Sequence, residues 1–113
     1  MKISAVLLLT FSAFSAAAGQ LLFKVGATEA RQLIDFANVP IFGGLLLYGI
    51  STSIWIYALS SELLVNVYAF TALTFVLVYL GGGFFLGESI SRAAVAGVLL
   101  VLAGLYLIAA HGG

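Results

Sequence analysis

The chain has 113 residues, 64% of them hydrophobic and 7% charged, where an ordinary soluble domain is about 45–50% apolar and about 25% charged. Four basic and four acidic residues cancel and cysteine is absent, which excludes a basic face for nucleic acid, disulfides and cysteine metal sites. Such a chain cannot cover itself with polar surface, so it reads as a single-domain, all-α integral membrane protein and not as a soluble enzyme.

Charges punctuate four uncharged runs, Ile3–Phe23, Phe36–Ser61, Leu63–Gly87 and Ala93–Ala110. About 20 residues of helix cross a hydrocarbon core of about 30 Å. The runs therefore predict four transmembrane helices, near 3–23, 40–59, 64–85 and 93–110. Lipid offers backbone groups no partner and four runs cannot close a barrel, which favours helices over strands.

The first run opens after Lys2. Its Ser15-Ala16-Ala17-Ala18 before Gly19 has the layout of a cleaved secretory signal. The run continues past that point to Phe23, however, and reads as a retained helix. Ser12, Ala16, Gln20 and Lys24 recur every four residues along one face. That face reads either as a cavity wall ending in an amide and an ammonium, or as a tight helix contact with Lys24 snorkelling to headgroups. Residues 24–39 form the one sizeable connection.

Pro40 suits the first turn of the second helix, where its missing N–H costs nothing. Tyr48, Thr52 and Trp55 share a face there, and Gly43, Gly44 and Gly49 permit close packing or bending. The third helix carries Asn66, Tyr68, Thr71 and Thr74, hydrogen-bonding groups in an apolar span. They suit interhelical bonds or a polar path. Gly81-Gly82-Gly83 near its end reads as a hinge or a packing patch. Glu88 and Arg92 are placed to pair or to cap the fourth helix. On that helix Gly97 and Gly104 are seven apart and share a face, which predicts a helix–helix interface.

Two short turns make antiparallel hairpins, with both termini on one side. Lys24, Arg31 and Arg92 on the other side lean towards termini outside. Without Lys24 the charges balance and either orientation is open. No phosphate loop, nucleophile–base pair or metal cluster occurs, and His111 alone builds no metal site, so neither enzyme chemistry nor a cofactor is expected.

Trp55–Ser91 resembles the drug/metabolite transporter superfamily, specifically EamA-type proteins and their small four-helix members. The resemblance rests on Tyr57-Ala58-Leu59, a short turn, Leu86-Gly87-Glu88-Ser89-Ile90-Ser91, and then Gly97-Val98-Leu99-Leu100-Val101-Leu102-Ala103-Gly104. Gly19-Gln20-Leu21-Leu22-Phe23-Lys24 resembles the end of the first helix in the small subunits that flip aminoarabinose-linked undecaprenyl phosphate. Small multidrug-resistance exporters are similar in size, but their helix-1 glutamate falls on Ala16 here and their helix-3 tryptophan on Thr71. The proline of the flippase group's helix 3 falls on Ala69.

The resemblance implies a dimeric four-helix unit in the bacterial inner membrane, as a homodimer or with a similar small subunit. It would translocate a polyprenyl phosphate or a polyprenyl-phosphate-linked sugar. Lys24 would neutralise phosphate, Gln20 would bond the headgroup, and Asn66, Tyr68 and Trp55 would line its path. The alternatives are a small-molecule exporter of the multidrug-resistance kind and a non-transporting membrane partner subunit.

Overall fold

The computed structural model describes residues 2–111. Four α-helices follow in order: α1 (Ile3–Glu29), α2 (Val39–Leu59), α3 (Leu64–Phe85) and α4 (Arg92–His111), with a 3-10 turn at Leu33–Phe36 between α1 and α2. Each α-helix is long and apolar enough to span a membrane. This is the architecture of a multi-pass membrane protein.

The expected ends of α2, α3 and α4 match to within a residue, but α1 runs on from Lys24 to Glu29. The first charge marks the edge of the apolar run and not the end of the helix, because backbone hydrogen bonding continues into the polar zone. The Thr28 hydroxyl donates to the Lys24 carbonyl within this extension, at 2.7 Å. Helix α1 stops at Ala30, whose N–H turns back to the Ala27 carbonyl. The next two amides, Arg31 and Gln32, donate to the Asp35 carboxylate at 3.1 and 3.0 Å. The connection between α1 and α2 is accordingly shorter than residues 24–39.

Asn38 then starts α2. Its side-chain oxygen accepts the Ile41 N–H at 3.0 Å, and its amide donates to the carbonyls of Gly26 and Asp35. One side chain thereby caps α2 and ties it to the end of α1. The Gln32 and Arg31 amides, in that order of effect, hold the Asp35 carboxyl below its ordinary value of 3.8. A lowered native pKa stabilises the turn fully above the ordinary carboxylate value. That contribution is lost as pH falls through the lowered value. The Arg31 and Gln32 amide resonances should therefore titrate together in NMR spectra, with a midpoint below that of a free aspartate.

Helix α1 lies between α2 and α3, α4 packs chiefly on α3, and α2 and α3 hardly touch. The spatial order is thus α2, α1, α3, α4, in a slab 45 × 35 × 18 Å across. Leu9, Ala58, Val67 and Phe70 form the buried cluster, with Trp55, Leu59 and Leu73 against it. No described residue of α4 is buried.

Close packing and hydrogen bonds hold helices together where lipid is as apolar as leucine. The α1–α2 seam uses both. The Ser12 hydroxyl donates to the Ser51 carbonyl at 2.9 Å and lies 2.8 Å from the Ser51 hydroxyl. Ser15 donates to the Leu47 carbonyl at 2.7 Å. Further along, Gly19 abuts the backbone of Gly44, and Gly26 abuts Asn38 and Ile41. Of the glycines on α2, Gly44 makes the close approach, Gly43 makes an ordinary contact with Leu22, and Gly49 faces open space.

Gly81-Gly82-Gly83 is a packing patch and not a break, since α3 runs unbroken to Phe85. A Cβ on these glycines would meet Leu21, Glu88 and Ile90 respectively. The α3–α4 turn uses Gly87 at φ +68°, the one positive φ among the described residues. Ser91, rather than Glu88 or Arg92, caps α4: its hydroxyl accepts the Ala94 N–H at 3.1 Å.

Candidate functional site

Because α2 and α3 stand apart with α1 behind them, a partly open cavity of about 360 Å³ lies among the three helices. Its floor on α1 is Leu9, Ser12, Ala13, Ala16 and Gln20. One wall is Tyr48, Ser51, Thr52 and Trp55 of α2. The other is Tyr68, Phe70, Thr71 and Thr74 of α3. No lining side chain is ionisable as a carboxylate, ammonium, guanidinium or imidazole. Hydroxyls, one primary amide and aromatic rings supply its chemistry.

Local bonding decides which of these groups face a ligand unpaired. Ser12 and Ser51 are engaged with each other across the seam. The Thr52 hydroxyl donates to the Tyr48 carbonyl at 3.0 Å and that of Thr74 to the Phe70 carbonyl at 3.3 Å. Each of these threonine oxygens keeps only acceptor capacity. The donors left to the cavity are the Gln20 amide, the Tyr48, Tyr68 and Thr71 hydroxyls and the Trp55 ring N–H. None of these bonds to another described residue. Trp55 and Tyr68 meet edge to face across the α2–α3 gap, with ring centroids 6.5 Å apart. Tyr48 lies against Phe23 of α1 at 6.1 Å.

The structure brings three of the sequence candidates together: Gln20, Trp55 and Tyr68 all line the cavity. Lys24 does not line it. Its exposed side chain lies one helical turn beyond Gln20 on α1, an axial step of about 6 Å. Asn66 also lies outside the lining. It is 6% exposed, and its side-chain oxygen has no hydrogen-bond partner. Gly97 and Gly104 lie on α4 with nothing within 4 Å of a Cβ built on either.

Along the face of Ser12, Ala16, Gln20 and Lys24, Ser12 forms a helix contact, the first three residues line the cavity, and Lys24 lies outside it. Ser51 and Phe70 also line it, and no motif marks either residue. Ser51 is found only through its bond to Ser12, 39 residues away in the chain.

Comparison of the chain with protein-family models, curated proteins and solved structures finds no match.

Proposed function

We propose that the chain is one unit of a small dimeric transporter of the drug/metabolite type, carrying the headgroup of a polyprenyl-phosphate-linked sugar across the bacterial inner membrane. The observation that carries this reading is an uncharged, aromatic-lined polar cavity with an ammonium one turn beyond its Gln20. Aromatic faces and neutral hydrogen-bonding groups suit a hydroxyl-rich glycosyl group. The Lys24 ammonium is a point charge suited to the attached phosphate. In this reading the hydrocarbon chain would leave through the open side of the cavity and stay in the bilayer. The Gly97/Gly104 face of α4, which nothing in the chain covers, is the seat proposed for the second copy.

Export of lipophilic cations is the less favoured reading. No carboxylate lines the cavity, so a buried cation would find no counter-charge there. The test is reconstitution into vesicles loaded with a fluorescent polyprenyl-phosphate sugar whose outer-leaflet label is chemically bleached. The protein should speed the loss of inner-leaflet label well above empty vesicles, and native mass measurement should give two copies. Bleaching at the empty-vesicle rate, together with uptake of a lipophilic cation, would overturn the proposal in favour of the exporter.

A further inference from the structure

We infer that the turn Leu33–Phe36 is a membrane-surface anchor, which seats Leu33, Ile34 and Phe36 at the headgroup–acyl boundary of the bilayer that the helices span. The inference rests on the spanning helices and the turn itself, and is independent of the transport reading.

The turn is built inside out for a loop in water. Leu33, Ile34 and Phe36 are 92%, 74% and 43% exposed, and Val39 beside them is 82% exposed. The one acidic group among them, Asp35, turns back onto the Arg31 and Gln32 amides. The Asp35 carbonyl takes the Asn38 amide at 2.9 Å, and the Ala37 N–H donates to the Ile34 carbonyl at 3.1 Å. The turn thus meets much of its hydrogen bonding from within the chain, which is what a segment must do before it leaves water for the membrane boundary. Three of its four side chains are apolar and exposed, and the fourth, Asp35, is exposed but turned to the backbone.

The occupant follows from where the turn is held. It joins the end of one spanning helix to the start of the next, and Asn38 bonds to Gly26 of α1 at 3.1 Å. Both flanking helices therefore hold it at the bilayer surface, where lipid headgroups border it on one side and water on the other. Arg31 is exposed just before the turn, placed for the phosphates that every phospholipid carries. Phe84 and Phe85, at the end of α3 on the same side, are exposed as well and extend the apolar collar. Interfacial segments sink their apolar side chains about 5–10 Å into this boundary.

Trp55 is the sole tryptophan, so a single reporter is available. In a Trp55→Phe background, Ile34→Trp and, as a second variant, Leu33→Trp would be placed in phospholipid vesicles. Circular dichroism would first confirm retained helix. The expected result is blue-shifted emission, quenched strongly by lipids brominated high on the acyl chain and weakly by aqueous iodide. Emission at the wavelength of tryptophan in water, with full iodide quenching, would overturn the anchor and show a solvated turn. Blue emission that ignores brominated lipid and reddens on dilution into excess lipid would overturn it in favour of a second copy of the chain.

Discussion

Gly44→Leu should separate α1 from α2 and abolish the folded unit, while Gly49→Ala on the same helix should leave stability unchanged or slightly raised. A Cβ on Gly44 would come within 2.7 Å of the Gly19 carbonyl oxygen and of the Phe23 ring, and one on Gly19 within 2.9 Å of the Gly44 carbonyl. At Gly44 the Gly19 oxygen is backbone and cannot swing aside, and the Phe23 ring is held against Tyr48. Even Gly44→Ala must push two helices apart and lengthen the neighbouring Ser15–Leu47 bond. Overpacking of this kind costs about 1–3 kcal/mol for added methylenes. Alanine's intrinsic helical advantage of about 1 kcal/mol over glycine works against that cost but does not remove the clash. At Gly49 nothing lies within 4 Å, so only the intrinsic term operates. Thermal unfolding in detergent, followed by circular dichroism, reads the two signs. Equal stability of Gly44→Leu and the parent would show that the seam is not closed at Gly19 and Gly44.

Lys24→Met should weaken binding of polyprenyl phosphate by about tenfold or more, the usual worth of a hydrogen bond to a charged group. Methionine keeps a long flexible stem and removes the charge. Lys24→Arg should retain part of the affinity, since the charge remains while its geometry changes. Gln20→Leu should lose less, because it removes a neutral hydrogen bond. Titration of the purified variants with polyprenyl phosphate gives the order directly. Lys24 is exposed and outside the cavity lining, so neither change at Lys24 should disturb the α1–α2 seam. Parent affinity in Lys24→Met would reduce Lys24 to a headgroup anchor and leave the cavity without a phosphate partner.

The four spans were legible because hydropathy and the spacing of charges act locally. The same locality misled at α1, where Lys24 ends the apolar run and the helix continues to Glu29. A backbone hydrogen bond needs a partner four residues away and does not need lipid. Its end is set by Asp35, which draws on amides three and four residues upstream. The cavity was half legible. Tyr48, Thr52 and Trp55 share a helical face whatever surrounds them, and that face does line it. Asn66, a polar residue in an equally apolar span, turned out to be buried elsewhere. The local pattern cannot tell which side of α3 meets α1, because that depends on the Gly81–Leu21 contact between distant parts of the chain.

Helix α4 separates two sources of constraint that are usually entangled. Its described residues include none that is buried, and it packs chiefly on α3, so little within the chain demands a particular apolar side chain along most of its length. Leucine, isoleucine, valine and alanine are nearly interchangeable there as far as this fold is concerned. On α1, by contrast, Leu9, Ser12, Ala16 and Gly19 are buried by identifiable neighbours and leave little latitude. A substitution profile along α4 is therefore a probe of its surroundings. A uniform tolerance would describe lipid, and a repeating intolerance would outline whatever else lies against the helix.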